Sequence, residues 1–135
     1  MEDNKTIVKA VSRMRNCHMS ARKMRLVANV VRGKRVEDAL NTLKFTKKEA
    51  ANWIERTLLS AVANWIVLTD DSPEDYELVI KEIRIDQGSQ LKRFRPAPHG
   101  RAHRIRKHSC HIDITVVNSK ELKQGIETIE AVEEA

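Results

Sequence analysis

The sequence predicts an α+β fold: three helices packed on a small three-stranded antiparallel sheet, with a long protruding β-hairpin. Three observations point there. Apolar residues recur at helical spacing through the first half of the chain, to about Leu68. Around Ile83 the spacing changes to two, and that alternation returns near Cys110. Between the two alternating segments lie 22 residues, 87–108, without a single carboxylate. A chain of 135 residues can bury one hydrophobic core, so a single domain is expected over 1–118, with 87–108 as its hairpin and 119–135 as an acidic tail.

Taken in order, a first strand is expected near Ile7 to Arg13, where the alternation is weak. Ser20 is the expected N-cap of a helix running to about Arg32, and Gly33 stands where a left-handed stop belongs. Helical spacing puts Met24, Val27 and Val31 on one face and Arg22, Arg25, Asn29 and Arg32 on the other, a core face backed by a basic stripe. Val36, Ala39, Leu40 and Leu43 predict a second, short helix, with Glu37 and Asp38 well placed against its positive N-terminal end. Thr46-Lys47-Lys48-Glu49 has the spacing of a capping box and is expected to open the longest helix. The stripe Ala51, Ile54, Leu58, Ala61, Trp65 and Leu68 is read as core packing, not as a ligand site.

The acidic break Asp70 to Asp75 ends this helix. Ile83 and Ile85 alternate with Glu82, Arg84 and Asp86 in one predicted strand, and Ile112, Ile114 and Val116 alternate with Asp113 and Thr115 in another, from about Cys110 to Val117. The tail from Ser119 is rich in Glu and lacks aromatics, so it is expected to be disordered or loosely helical.

Several function classes lose ground at once. Cys17 and Cys110 are too few for a disulfide framework and lack the close spacing of a structural zinc site, so a reducing, cytoplasmic setting is expected. No apolar run is long enough to span a bilayer, and Glu2 and Asp3 do not suit a signal peptide; no membrane insertion is expected.

The net charge of +6 hides a strong segregation. Residues 1–35 hold ten basic and two acidic groups, residues 70–86 hold two and seven, and residues 87–108 hold seven and none. Ordinary surfaces intersperse the signs, so the last of these segments reads as a surface made for phosphates. Within it lie Lys92, Arg93, Arg95, Arg101, Arg104, Arg106 and Lys107, with His99 and His103 among them and Phe94 as a candidate base-stacking group. Planar guanidinium groups grip phosphates bidentately and stack on exposed bases, which suits folded RNA. If the flanking strands stay paired for about eleven residues each way, the arm reaches about 35 Å from the body. Pro96, Pro98 and Gly100 mark its tip, and with no carboxylate to fold around, it is expected to be mobile until a partner orders it.

Three other chemistries fit parts of the sequence less well. Cys17-His18 and Cys110-His111 offer two thiolates and two imidazoles for zinc, but adjacent residues of a strand point to opposite faces. An enzyme using His99, His103, His108 or His111 lacks neighbouring carboxylates for metal-assisted phosphoryl chemistry. A DNA-binding domain could use Arg22, Arg25 and Arg32, since phosphate contacts alone do not separate DNA from RNA.

Ser20-Ala21, Arg25-Leu26-Val27-Ala28, Arg32-Gly33-Lys34, Ala39-Leu40 and Ser60-Ala61-Val62-Ala63-Asn64 resemble, in order and spacing, the large-ribosomal-subunit protein twenty-two family. Leu91-Lys92-Arg93, Pro96, Gly100-Arg101-Ala102, Ile105, Lys107 and His111-Ile112 are similar to that family's hairpin signature, so the resemblance covers about residues 12–118. It implies a structural constituent of the large subunit that binds 23S rRNA, supports assembly, and threads its hairpin into the nascent-polypeptide exit tunnel. The implied rRNA contacts are Arg13, Arg15, Arg22, Arg25, Arg32, Lys34, Lys92, Arg93, Arg95, Arg101, Arg104, Arg106 and Lys107. The implied tunnel-lining tip is Phe94, Arg95, Pro96, Ala97, Pro98, His99, Gly100 and Arg101. Neighbouring ribosomal proteins and the nascent polypeptide are implied partners; no catalytic residue, metal or cofactor is implied. Pro96-Ala97-Pro98-His99 departs from the usual bacterial tip, which reads Pro-Arg-Ala before Gly-Arg-Ala, by one cation.

Overall fold

The computed structural model describes residues 7–119, so the expected acidic tail, apart from Ser119, lies outside the described residues. In chain order the elements are β1 (Lys9–Cys17), α1 (Ala21–Val31), α2 (Val36–Phe45), α3 (Glu49–Thr69), β2 (Leu78–Gln87), β3 (Leu91–Pro96), β4 (Ala102–Lys107) and β5 (Cys110–Asn118). The α+β expectation is met. β1, β5 and β2 form an antiparallel sheet with β5 in the centre, and β3 and β4 form a separate two-stranded ladder.

The central strand explains the core. Cys110, Ile112, Ile114, Val116 and Asn118 of β5 are buried and alternate with half-buried His111, Asp113, Thr115 and Val117, so one face takes the helices and the other stays partly open. α3 lies across β1 and β5, burying Ala51, Ile54, Leu58, Ala61 and Trp65. Tyr76 closes this layer, its ring centroid 5.7 Å from that of Trp65. Met24, Val27 and Val31 of α1 and Val36, Ala39 and Leu43 of α2 complete the cluster. Gly33 turns the chain out of α1 at φ +78°, as expected of a left-handed stop.

The differences from the sequence reading have local causes. The first strand runs to Cys17, not Arg13, because its inward positions are the small residues Ala10 and Ser12, which give no hydrophobic alternation. β2 begins at Leu78; a bulge between Ile80 and Glu82 shifts the register by one, so Leu78 and Ile80 stay inward with Ile83 and Ile85 despite the broken period. Thr46 does not open α3 as a capping box. It is the C-cap of α2, and its hydroxyl donates to the Thr42 carbonyl at 2.7 Å. Ser20 holds its cap position without a side-chain cap bond. At the far end of α3, Leu68 is 63% exposed while Thr69 is buried, its hydroxyl donating to the Trp65 carbonyl. A turn of 3.6 residues carries the stripe to the fourth residue after Trp65, not the third.

Both outer strands have covered edges. Asn64 of α3 donates to the Val11 carbonyl of β1 at 3.0 Å. On β2, the Arg25 and Arg32 guanidinium groups donate to the Ile85 and Ile83 carbonyls, each at 3.0 Å, and the Ile80 amide donates to the Lys34 carbonyl. Unpaired edges invite association, and these contacts occupy them.

Leu58→Ala should cost about 2–5 kcal/mol in chemical denaturation, as cavities at fully buried leucines do. Leu68→Ala should stay within about 0.5 kcal/mol. A cost at Leu68 equal to that at Leu58 would reverse this placement of the stripe.

Candidate nucleic-acid interface

The arm begins where Gln87 pairs with Cys110, the first residue of the central strand. Here the ladder breaks. The Gly88 amide donates to the Ser109 carbonyl at 2.8 Å, and the Ser109 hydroxyl donates to the Ser89 carbonyl. A Cβ at position 88 would lie 2.6 Å from the Ser109 Oγ, so glycine is what allows the two strands of the neck to close. The long hairpin is thus built from two ladders, which the neck separates.

Beyond it, six pairs run from Leu91 opposite Lys107 to Pro96 opposite Ala102, about 20 Å of ladder at about 3.3 Å per residue. The Ala97 amide donates to the Arg101 carbonyl at 2.7 Å across the tip, and His99 and Gly100 reverse the chain at φ +63° and +71°. Two successive left-handed residues make the tight turn, glycine at no steric cost.

Residues opposite each other in an antiparallel pair share a face. One face of the arm thus carries Lys92 with Arg106 and Phe94 with Arg104; the other carries Leu91 with Lys107, Arg93 with Ile105, and Arg95 with His103. Cations stand on both faces, and nearly every side chain is exposed, Phe94 at 71%. Arg101 is exposed at the base of the tip.

On the body, Arg13 and Arg15 lie on the exposed side of β1, where Arg15 Nη2 approaches Asp113 at 3.9 Å. Arg22, Arg25 and Arg32 follow α1, and the exposed Lys34 follows Gly33. The basic stripe holds a role that periodicity did not reveal, since Arg25 and Arg32 also fasten α1 to the edge of β2. Nothing in the sequence of α1 names its carbonyl partners, which lie 60 and 51 residues away.

A cleft of about 680 Å³ opens where the arm meets the body. Lys23 and Lys107, His18 and His108, and Met19 and Leu91 line it, with Asn16, Ser20, Ser89 and Ser109. Sequence reasoning missed most of this group, because only the pairing of β1 with β5 brings residues 16–23 to the neck.

Cys17 and Cys110 face each other in that pairing, both buried and both free. His111 stands apart from them in function: its Nδ1 accepts the Asn16 amide at 3.1 Å and holds the left-handed Asn16 of a β1 bulge. Among the described residues no group of three or more His, Cys, Asp or Glu is placed to hold a metal ion. Burial pushes the Cys17 thiol up to about 12, and the facing Cys110 adds to the rise; burial raises Cys110 as well. These are protonated core thiols.

The family model described as Ribosomal protein L22p/L17e matches residues 12–117. The chain belongs to that family. Among curated relatives, the large ribosomal subunit protein uL22 of Christiangramia forsetii is 56% identical over 108 residues, 79% of this chain and 80% of the relative. That of Flavobacterium johnsoniae is 53% identical over 116 residues, 85% and 83% of the two chains. That of Porphyromonas gingivalis is 50% identical over 105 residues, 78% of each. The L22p/L17e match spans body and arm together, so the basic hairpin is part of what this chain shares with the family. The family is one of structural, non-enzymatic proteins.

For Cys17 the folded value lies above the ordinary value of 9.0. The unfolded chain therefore ionises this thiol first, and stability present below about pH 9 should be lost progressively as pH rises toward about 12. Urea denaturation at stepped pH should show a shallower alkaline fall in Cys17→Ala than in the parent, and equal slopes would refute the assignment.

Proposed function

We propose that the protein is a structural constituent of the large ribosomal subunit, where its body and arm bind 23S rRNA and support subunit assembly, and where the arm's tip lines the nascent-polypeptide exit tunnel. The single observation that supports this best is the arm's two-faced charge. A surface that met RNA on one side only would need its cations on one face of the ladder. Here Lys92, Arg104 and Arg106 stand on one face and Arg93, Arg95 and Lys107 on the other, which fits an arm surrounded by phosphates.

In this reading Arg13, Arg15, Arg22, Arg25, Arg32 and Lys34 extend the contact over the body, Arg25 and Arg32 with the donors that the edge of β2 leaves over, and the segment Phe94 to Arg101 meets the tunnel. The rRNA of several domains, neighbouring ribosomal proteins and the nascent chain are its partners, in the cytoplasm. The relatives' name, large ribosomal subunit protein uL22, supports the location. Among the described residues no helix is long and apolar enough to cross a membrane.

The protein should sediment with large subunits at both low and high salt; release into the soluble fraction under both conditions would reject the proposal. Replacing Arg93, Arg95, Arg101 and Arg104 together by Gln should weaken rRNA binding and flatten its salt dependence, by at most about 0.9 of slope per lost phosphate contact. An unchanged slope would remove these residues from the interface. Amide relaxation of the free protein should show Ala97 to Gly100 more mobile than α3, with order gained on RNA binding. A tip as rigid as α3 before binding would contradict that.

A further inference from the structure

Beyond a phosphate-binding arm, the neck cleft has the chemistry of a nucleotide site. We propose that it receives one unstacked nucleotide of the RNA, with the base against Leu91 and Met19 and the flanking phosphate between Lys23 and Lys107. The inference rests on the RNA-binding reading above and adds a contact to a base where the arm offers mainly contacts to the backbone.

Four features of the cleft support it. Its volume of about 680 Å³ lies within the range of about 300–1,000 Å³ typical of small-ligand sites, far larger than a phosphate alone requires. Its lining joins two apolar side chains to two lysines and two histidines, with no carboxylate among them. A site for backbone alone has no use for the apolar wall, while a base splayed out of a stack needs one. Leu91 is 51% exposed there, although it begins a strand whose other side chains are mostly charged.

The walls are also held in place. The Gly88 amide and the Ser109 hydroxyl tie the two strands of the neck together, and the His111 imidazole holds the left-handed Asn16 at the opposite wall. A β-bulge between Met14 and Cys17 holds Asn16 in its left-handed conformation at this end of the sheet. A cleft already formed loses little entropy when an RNA base enters it.

The test uses the full chain with the complete large-subunit rRNA, comparing the parent with Leu91→Ser and with Lys23→Gln/Lys107→Gln. Leu91 lies on the exposed arm, and an unchanged denaturation midpoint of the body will establish that Leu91→Ser folds. The parent should protect at least one unpaired base from base-specific chemical modification, and Leu91→Ser should lose that protection. Its affinity should fall about three- to tenfold with an unchanged salt slope, since no charge is lost. The double lysine variant should instead lower the slope, by at most about 0.9 for the one phosphate the two lysines share. Loss of affinity in Leu91→Ser without loss of any base protection, or protection and affinity both unchanged, would overturn the proposal in favour of a backbone-only contact. Competition by free nucleoside monophosphate at micromolar concentration would also overturn it, assigning the cleft to a soluble nucleotide. Failure of the parent to bind the rRNA at all would instead overturn the RNA-binding reading, so the two failures are separable.

Discussion

Everything else in the molecule depends on the double pairing of β5. Its inward residues Ile112, Ile114 and Val116 supply the centre of the core, and its two flanks set the register of β1 and β2. Cys110, at its start, is paired with Cys17 on one side and Gln87 on the other, so three distant segments meet at one end of the sheet. The arm leaves from that end, which makes it the best-anchored point available. With only three strands, both neighbours of β5 are edges, and the helices cover them with side-chain donors as well as with apolar mass. Arg25 and Arg32 serve this purpose on β2, and Asn64 serves it on β1.

The same strand sorts the charge. At its start lie the neck, the two lysines of the cleft and the cationic arm. At its end, Ser119 is bound to the Tyr76 and Glu77 carbonyls, beside the acidic segment from Asp70 to Glu77. A net charge of +6 therefore describes neither end. A protein with its cations concentrated in this way is oriented by a polyanion before contact, with its arm leading.

Much of this was legible in the sequence because the strongest signals are periodic. Met24, Val27 and Val31, the α3 stripe to Trp65, and the alternation of Ile112, Ile114 and Val116 each report one buried face, and each is buried. The sequence misled where a second effect displaced the period. The bulge at Lys81 broke the β2 alternation, the small Ala10 and Ser12 hid the inward face of β1, and Thr46 followed its own helix's carbonyl instead of capping the next helix. The arm's charge could be read directly, since seven cations without a carboxylate are a local fact. The neck cleft could not, because Lys23 and Lys107 become neighbours only after β1 and β5 have paired.

The arm is then a deliberate exception to the rules that hold the body together. A two-stranded ladder with no covering layer is marginal in water, and like charges set opposite each other weaken it further. Lys92 faces Arg106. Besides the ladder's own pairing, local backbone bonds close its two ends: Gly88 to Ser109 at the neck and Ala97 to Arg101 at the tip. Between them, the shaft gains stability from whatever neutralises its cations, and a polyanion on both faces does so for the two sets at once. Arginine suits both settings in this molecule for the same reason, its planar fork of donors. In the body that fork meets fixed carbonyls of a strand edge, and on the arm it is left open, so the fold supplies the position and the partner supplies the acceptors.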